Sequence, residues 1–482
     1  MDNKPSFYFY DLETTGLRAR EDRVMQFAGQ RTDMELNPTS EPDNFYIKIT
    51  PDVLPSPDAV LVTGITPQKT LEEGISEADF LKLFYQNIAT DQTIFTGFNT
   101  IRFDDEFMRF MNYRNFYDAY EWQWSNNRSK WDMLDVVRMT RALRPDGIEW
   151  PFASDGQPAN KLELLTELNN LSHENAHDAL SDVFATIAVA RLIKSKQAKL
   201  FEYLLKMRDK AGVERLIRTG QPFVYTSGRY SAEYDKTTVA CVVGSHPHQN
   251  GSFIVYDLRI DPTKYINMTA EQLAQAYQKR FKRDQPELPF KLLQTNKCPT
   301  VAPIGVLRAA DKQRLKIDGN KINSHYETLV KAEDFPDKLS EALRLNDKSY
   351  QAQLVASESE VDTQLYDGFF NKADQNKMRL VRQSSIDQLV DLSLDFDDPR
   401  LSKLLTLYKS RQYPETLNDD EAATWQEYRK NKLIIGSNGA SAAEKFFKRL
   451  EELAIIHATD SQKMYLLQEL QLYAQSILPT DY

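Results

Sequence analysis

Two carboxylates stand two residues apart in the segment Asp11-Leu-Glu13, directly after the aromatic run SFYFY. Side chains at positions i and i+2 of a β-strand face the same side, so both carboxylates are expected on one face. Adjacent like charges are costly unless a cation compensates them, and hard divalent ions such as Mg²⁺ prefer oxygen ligands. The pattern indicates a metal site, with a surface acidic pair on an edge strand as the alternative.

A second acidic segment follows the short apolar run IFTGF and reads Asn99-Thr-Ile-Arg-Phe-Asp104. An aspartate just after a buried strand can lie beside the carboxylates of a neighbouring strand, which makes Asp104 a further candidate metal ligand. The alternative is an acidic residue at a helix N-terminus, where the helix dipole stabilises it.

A histidine and an aspartate, His177 and Asp182, lie five residues apart on a predicted helix. This spacing separates them by about 140° around the helix axis. They can therefore border one cavity from adjacent turns, with Asp182 on the metal and His177 at its rim. Histidine has an ordinary pKa near 6.5, which suits a general base. A helix cap or a surface position is the alternative for His177.

The elements that position these residues follow from the apolar periodicity of the chain. Strands are predicted at 6–15, 24–33, 44–50 and 94–99. Helices are predicted at 75–90 with Ser76 as N-cap, then at 105–114, 129–143, 161–170 and most of 177–210. This order predicts an α/β first domain. Short β-rich runs at 222–260, followed by helical segments, indicate an α+β middle domain, and the chain from 365 onward is helical.

Composition is that of an ordinary folded protein, with 482 residues, of which 41% are hydrophobic and 27% charged. At roughly 150 residues per domain, about three domains are expected. No stretch approaches the ~18 apolar residues of a membrane span, and the N-terminus lacks an apolar signal region. The two cysteines, Cys241 and Cys298, are too few for a disulfide framework, so a cytoplasmic protein is expected.

Charge is unevenly distributed along the chain, whose net charge is −10. Residues 201–350 carry 24 Lys and Arg against 18 Asp and Glu, whereas the parts on either side are acidic. An acidic first third is what a metal–carboxylate site tends to produce. A basic middle third permits a local track for phosphates, although a solvated surface would give the same excess.

The three motifs occur in the order Asp-x-Glu, Asn-x₃-Phe-Asp-x₂-Phe and His-x₄-Asp, which resembles the histidine-containing branch of the DEDD exonuclease superfamily. The resemblance implies two Mg²⁺ ions, with Mn²⁺ as a possible substitute, held by Asp11, Glu13, Asp104 and Asp182. Two such ions can clamp the attacking and leaving oxygens of a phosphoryl displacement. It also implies His177 as the general base and 5′-mononucleotides as products.

The resemblance narrows to the bacterial exodeoxyribonuclease I family and covers nearly the whole chain. It is carried by GFNTIRFDDEFMR, YRNFYDAYEWQWSNNRSKWDMLDVVR, ALRPDGIEWP, ENAHDALSDVFATIA, KLLQTNKCPT and QLYDGFF. It implies an α/β RNase H-like exonuclease domain at 1–197, an SH3-like α+β domain at 198–353 and a C-terminal α-helical domain at 354–482. The implied activity is processive 3′ to 5′ degradation of single-stranded DNA by a monomer, in DNA repair and recombination.

The same resemblance implies a set of residues that bind the DNA strand. DNA-contacting positions of the family match Arg109, Tyr120, Trp124 and Arg138. Positions near the terminal nucleotide match Thr14, Thr15 and Lys161, and further substrate-binding positions match Glu13 and Asn99. Aromatic faces stack bases at ~1–3 kcal/mol each, and cationic side chains neutralise phosphates. The alternative for Tyr120 and Trp124 is a position in the core, since they are four residues apart, as on one helix face.

The resemblance also implies a protein partner, the acidic, Phe-ended C-terminal tail of single-stranded DNA-binding protein. Arg144 matches a basic position of that docking site, and Tyr203 matches an aromatic one. A lysine expected just before the proline of the second domain is replaced here by Gln221, which argues for a weakened interaction.

Three other functions are compatible with parts of the pattern. An exonuclease that trims RNA or oligonucleotides would share the catalytic core, but such enzymes are usually single short domains. A polymerase proofreading module would need a polymerase fingerprint, and none follows residue 200. A catalytically inactive DNA-binding scaffold would not need all four carboxylates and the histidine.

Overall fold

The first part of the chain folds around a mixed β-sheet. The computed structural model describes residues 4–173, 178–280, 288–355, 360–435 and 440–479. The strands of this sheet are β1 (Ser6–Thr14), β2 (Val24–Thr32), β3 (Asp43–Tyr46), β4 (Thr93–Gly97) and β5 (Ser129–Asp132). Their order is β3-β2-β1-β4-β5; β1–β2 and β2–β3 are antiparallel pairs, whereas β1–β4 and β4–β5 are parallel. This sheet confirms the predicted α/β RNase H-like domain.

The central strand β1 is buried on both faces, which explains its unbroken apolar run. Phe7 and Phe9 enter one hydrophobic core, whereas Tyr8 and Tyr10 enter the core on the opposite face. Asp11 continues the face of Phe7 and Phe9, because successive side chains of a strand alternate. The acidic residues of β1 therefore belong to the face on which the next helices pack.

Helices cover both faces of this sheet. They are α1 (Pro57–Thr63), α2 (Pro67–Glu73), α3 (Glu77–Leu83), α4 (Asp104–Arg114), α5 (Met133–Leu143), α6 (Leu162–Leu168), α7 (Ala179–Lys196) and α8 (Ala198–Lys206). The Ser76 side chain accepts a hydrogen bond from the backbone N–H of Asp79, which confirms Ser76 as the N-cap of α3. Helix α7 packs against β1 and β2 and so carries Asp182 towards the acidic strand.

One predicted helix boundary is wrong. The helix predicted over 129–143 begins only at Met133, because Ser129–Asp132 pairs in parallel with β4 as strand β5. Pairing with a buried strand outweighs the local helical periodicity there. The prediction that most of 177–210 is helical is confirmed by α7 and α8, which are separated at Gln197, where the backbone leaves the helical region.

The middle part of the chain contains a second sheet of antiparallel strands. They are β6 (Phe223–Thr226), β7 (Thr237–Ser245), β8 (Ser252–Asp257), β9 (Phe290–Gln294) and β10 (Thr300–Pro303), in the order β10-β6-β7-β8-β9. A bulge between Val242 and Gly244 shifts the register of β7 against β8, and bulges bend a sheet. The helices of this part are α9 (Lys210–Ile217), α10 (Thr263–Ile266), α11 (Ala270–Lys279), α12 (Ala309–Arg314), α13 (Gly319–Lys331) and α14 (Phe335–Val355). The arrangement is that expected of an SH3-like α+β domain.

The last part of the chain is helical, as predicted, with no strand in its described ranges 360–435 and 440–479. Its helices are α15 (Lys372–Gln383), α16 (Ile386–Val390), α17 (Pro399–Gln412), α18 (Asp419–Lys430), α19 (Ala442–Ile456) and α20 (Ser461–Ile477). A 3₁₀ segment at Val361–Tyr366 precedes them. None of the described helices is long and apolar enough to cross a lipid bilayer.

The helical part packs on the first domain through shared cores and buried charges. Val60 of α1 lies in one hydrophobic cluster with Phe446 and Leu470, so α1 is sandwiched against α19 and α20. Elsewhere between the two parts, Arg23 and Arg411 both contact Asp362 in a fully buried group of charges. The two parts therefore form one continuous interior.

Candidate active site

Three predicted metal ligands converge at the end of β1. Asp11 and Glu13 lie on the same face of the strand, and Asp182 reaches them from the N-terminal part of α7. One carboxylate oxygen from each of the three residues lies within 4.8 Å of those from the other two. This is the separation at which several carboxylates can share one cation or a close pair of cations.

The fourth predicted ligand, Asp104, is docked beside the same strand. Asp104 is the first residue of α4, and its Oδ1 atom accepts a hydrogen bond from the backbone N–H of Leu12 at 3.1 Å. The parallel pairing of β1 with β4 extends only to Phe9, so this N–H lies beyond the ladder. Asp104 takes the place of a strand partner there, and its charge raises the pKa of Asp11, but it is not one of the three carboxylates whose oxygens lie within 4.8 Å of one another.

Burial and mutual repulsion dominate the electrostatics of the cluster. Burial raises the pKa of Asp11 well above its usual range, and the charges of Asp104 and Asp182 raise it further. Burial also raises the pKa of Glu13 to about 9, with Asp11 and Asp182 adding to the effect. The strongest charges that act on both groups are carboxylates, so full ionisation of the cluster is unfavourable without a cation. Oxygen donors with uncompensated charge fit a hard divalent cation.

A histidine that the sequence analysis did not single out contacts the cluster. The Nε2 atom of His173 lies 2.5 Å from Oδ1 of Asp182, and its Nδ1 atom lies 3.1 Å from Oγ1 of Thr166. His177, the predicted general base, lies outside the described residues. The only sequence signal for His173 is a second histidine four residues before His177 in the same motif.

The residues expected near the terminal nucleotide occupy different environments. Thr14 donates a hydrogen bond from its hydroxyl to the carbonyl of Gly16 at 2.7 Å, and Thr15 is fully buried and accepts from the N–H of Arg23. These contacts hold the turn that ends β1. Asn99 has a positive φ of 72° and donates its N–H to Asp132, which orients the connection from β4 to α4.

The aromatic residues predicted to stack bases lie in irregular turns rather than on one helix face. Residues Glu121–Gln123 and Ser125–Asn127 form separate 3₁₀ turns, and Trp124 between them is 65% exposed. Trp124 is therefore not a core residue. Tyr120 is half-buried, and the Arg109 guanidinium lies 5.5 Å from its ring centroid.

The predicted cationic contacts differ in their accessibility. Arg109 is buried and pairs with Glu106 at 2.5 Å, so it supports the surface from beneath. Arg138 pairs with Asp135 at 2.7 Å and lines a cleft of about 300 Å³ between the first two domains. Lys161 is 70% exposed at the N-terminus of α6. Other cationic side chains of the same cleft are Arg102, Arg229 and Lys297.

An apolar surface from the C-terminal part of the chain joins the aromatic residues. Phe369 is 91% exposed and lies 6.4 Å from Tyr120, centroid to centroid. Tyr366 lines a cavity of about 400 Å³ together with Leu17 and Arg20 of the turn after β1. These residues were missed as site residues, although the segment QLYDGFF had marked the region. Their position depends on how the helical part docks on the first domain.

The predicted partner-binding residues Arg144 and Tyr203 both lie at the junction of the first two domains. Arg144 pairs with the buried Asp311 at 3.3 Å and donates to the carbonyl of Val306. The hydroxyl of Tyr203 donates to the carbonyl of Val301 at 3.1 Å. Both side chains therefore contact the segment 301–306, and Gln221 is exposed just before β6, which pairs with β10 in this segment.

Comparison with known proteins agrees with this architecture. Three family models match successive parts of the chain, namely Exonuclease over residues 8–190, Exonuclease I SH3-like domain over 208–344 and Exonuclease I C-terminal domain over 359–477. The exodeoxyribonuclease I of Haemophilus influenzae is 39% identical over 479 residues, which cover 98% of this chain and 99% of that protein. The chain belongs to the exonuclease I family.

Solved structures of the family share the whole fold. The zinc-bound form of the E. coli exonuclease I complex with single-stranded DNA has a TM-score of 0.90 at 36% identity, covering 98% of this chain and 99% of that one. A structure described as SSB/exonuclease I in complex with an inhibitor has a TM-score of 0.89 at 35% identity, covering 98% of this chain and all of the other. The family fold thus extends across all three domains.

Proposed function

We propose that this chain removes nucleotides one at a time from the 3′ end of single-stranded DNA by metal-dependent hydrolysis and releases 5′-mononucleotides. The observation that carries the proposal is the convergence of Asp11, Glu13 and Asp182, with carboxylate oxygens within 4.8 Å of one another. The exodeoxyribonuclease I relatives and their complexes with single-stranded DNA support the choice of substrate. The activity would serve DNA repair and recombination in the cytoplasm, carried out by a monomer.

The carboxylate cluster would hold two divalent ions, which we propose are Mg²⁺, through Asp11, Glu13, Asp104 and Asp182. Such ions lower the pKa of a bound water and stabilise charge on the leaving oxygen. The zinc ion in the E. coli relative supports dependence on a divalent metal. His177 would accept the proton of the attacking water, a role that rests on the sequence motif alone. Glu13 and Lys161 would border the terminal nucleotide.

A surface of aromatic and cationic side chains would hold the rest of the strand. Trp124 and Tyr120 offer ring faces, and stacking on them is independent of base identity. Arg138 lies in the cleft between the first two domains, where its charge would be close to the phosphate backbone. Arg109 would act indirectly by supporting the ring of Tyr120.

Processive degradation would follow from enclosure of the strand by all three domains. The cleft borders the SH3-like domain on one side, and Phe369 of the helical domain lies beside Tyr120 on the other. The helical domain is joined to the first domain through a shared core and buried ion pairs. A DNA strand enclosed between domains that do not separate would advance towards the carboxylate cluster without dissociating from the protein.

The test is cleavage of three 5′-labelled substrates with Mg²⁺, namely single-stranded DNA, blunt duplex DNA and single-stranded RNA. Rapid shortening of the single-stranded DNA alone, abolished by EDTA, is the expected result. Asp182→Ala should abolish turnover while DNA binding and thermal stability persist. Asp79→Asn, which changes an exposed carboxylate remote from the cluster, is the control and should cleave normally.

Other outcomes separate the alternatives. Preference for RNA would keep the catalytic site and favour an RNA-trimming exonuclease. Tight DNA binding without cleavage of any substrate would favour an inactive scaffold. Full activity of Asp182→Ala in a clean preparation would remove Asp182 from the metal site.

We also propose that the C-terminal tail of single-stranded DNA-binding protein docks beside Arg144 and Tyr203. The solved SSB/exonuclease I structure supports this partner. Arg144 would bind the terminal carboxylate of the tail, and Asp311 would hold its guanidinium in place. Asp311 also pairs with Arg308 and Arg314, so loss of Arg144 leaves it compensated.

Fluorescence polarisation of a labelled acidic peptide that ends in phenylalanine tests this docking site. Arg144→Ala should weaken binding about tenfold or more, because hydrogen bonds to charged groups contribute about 1.5–3 kcal/mol. Lys463→Ala, an exposed cation of the helical domain, is the matched control. Equal affinity for both variants would rule out Arg144 as a contact.

A further inference from the structure

The His173 side chain borders the carboxylate cluster and contacts Asp182. It follows α6 and precedes α7, and its side chain is only 6% exposed. Its two ring nitrogens contact two different elements, Thr166 on α6 and Asp182 on α7. An imidazole held at both nitrogens has a fixed ring plane, whichever nitrogen carries the proton.

The anchor on α6 is itself rigid. Thr166 is fully buried, and its Oγ1 lies 3.0 Å from the carbonyl of Leu162 and 2.9 Å from that of Glu163. The hydroxyl is thereby tied to the backbone of its own helix. Because these contacts restrict rotation of the hydroxyl, its position is fixed relative to α6. The Nδ1 atom of His173 is therefore held at a fixed place on this helix.

The contact with His173 restrains the carboxylate of Asp182, the proposed metal ligand. Burial alone does not fix the orientation of this carboxylate, because it is partly exposed. The side chain of Asp182 is 19% exposed, whereas Asp104 is buried. A carboxylate rotates readily about its Cβ–Cγ bond unless something holds one of its oxygens. The ring of His173 holds Oδ1 at 2.5 Å, which limits the directions in which the carboxylate can face the other two ligands.

We propose that His173 is a positioning residue, which with Thr166 orients the Asp182 carboxylate for the divalent cation. The inference rests on the proposed function, because it assumes that Asp182 is a metal ligand. Residues that hydrogen-bond to metal ligands commonly change metal affinity by 10–100-fold when removed. No role in proton transfer is needed, since the effect follows from geometry alone.

The experiment measures Mn²⁺ binding without DNA, by electron paramagnetic resonance and calorimetry, in the full-length protein. His173→Ala should raise the Kd for Mn²⁺ about 10–100-fold, and His173→Gln, which keeps a hydrogen-bond donor, should recover much of the affinity. Thr166→Val should shift the Kd in the same direction by a smaller factor. His248→Ala changes an exposed histidine of the second domain and should bind as the wild type does.

Activity and DNA binding complete the test. Turnover of His173→Ala should recover as the Mg²⁺ concentration is raised, while affinity for single-stranded DNA in EDTA and the melting temperature stay unchanged.

Wild-type affinity for Mn²⁺ in both His173 variants would overturn the inference and leave the proposed function intact. So would tighter binding, since the ring would then compete with the metal. If the wild type itself bound no Mn²⁺ and cleaved no substrate, the proposed function would fail first. Should His173→Ala not fold, the comparison of His173→Gln and Thr166→Val with the wild type decides.

Discussion

At the scale of single residues, the site gathers charges that oppose one another. The charges of Asp11, Glu13 and Asp104 act on one another, and loss of hydration is the largest cause of the raised pKa in each case. A protein built for stability alone would not bring such groups into one cluster. A cation in the site would account for the arrangement, because its attraction to the carboxylates would outweigh their mutual repulsion.

This electrostatic conflict predicts how the metal-free protein responds to pH. The pKa of Glu13 rises from 4.5 in the unfolded chain to about 9 in the folded protein. The stability linked to this proton is fully present below the unfolded value and is lost as pH rises through the folded value. In EDTA, the melting temperature should therefore fall between about pH 5 and pH 9. Added Mg²⁺ should raise it most at high pH, where fewer protons must be displaced.

The matched variant for this measurement is Glu13→Gln, which cannot ionise. Its melting temperature in EDTA should depend less on pH than that of the wild type. A wild-type melting temperature that is constant or increases across this range would contradict the predicted effect.

At the scale of elements, neighbouring tryptophans in one irregular segment have opposite environments. Trp122 is completely buried and packs edge-on against Phe95, whereas Trp124 is 65% exposed. The 3₁₀ turns on either side of Trp124 direct its ring outwards. An exposed indole contributes little to folding and is available for a ligand with ring faces.

We expect Trp124→Ala to weaken binding of single-stranded DNA and to leave the melting temperature nearly unchanged. Loss of one stacked base costs about 1–3 kcal/mol, or roughly 5- to 150-fold in Kd. Trp122→Ala is the contrasting variant and should lose about 3–5 kcal/mol of stability, since it empties a packed core. Polarisation titrations and thermal melts of both variants measure the two effects. Unfolding of Trp124→Ala would instead support a core role.

At the scale of the whole molecule, a buried charge group joins the C-terminal helical domain to the exonuclease domain. Asp362 contacts Arg23 at 2.9 Å and Arg411 at 2.6 Å, and Asp52 contacts Arg411 and Lys432 at 2.8 Å each. These cations hold the pKa of both carboxylates below the usual range against the effect of burial. The backbone of Arg23 also hydrogen-bonds to Thr15, so the junction extends to the turn beside the carboxylate cluster.

Removal of one partner from this group should destabilise the domain junction. Asp362→Ala removes the nearest carboxylate of both Arg23 and Arg411 and leaves them only Asp52, and breaking a buried pair costs about 3–5 kcal/mol. Asp58→Ala removes an exposed ion pair with Arg449 across the same two domains and should cost at most about 1 kcal/mol. Denaturant unfolding measures both costs. Processivity, measured with a DNA trap, should fall only in Asp362→Ala; equal stability of the two variants would contradict the expected role.

The sequence by itself determined the features that depend on local spacing or on whole motifs. The two-residue spacing of Asp11 and Glu13 specified a shared face, and Ser76 specified a helix start, because both effects act within one element. The order of the acidic motifs indicated the exonuclease superfamily, and the longer segments such as YRNFYDAYEWQW indicated the family and therefore the three-domain architecture. These features require no knowledge of which elements pack together.

The tertiary structure alone decided which residues of a pattern are exposed, paired or buried. Ser129–Asp132 became a strand through its pairing with β4, and Arg109 was enclosed by Glu106 and its neighbours. Contact of Phe369 with Tyr120, and of His173 with Asp182, joins residues from separate elements or separate domains. Such contacts depend on the packing free energy of the whole chain, which exceeds the local preferences from which a sequence pattern is interpreted.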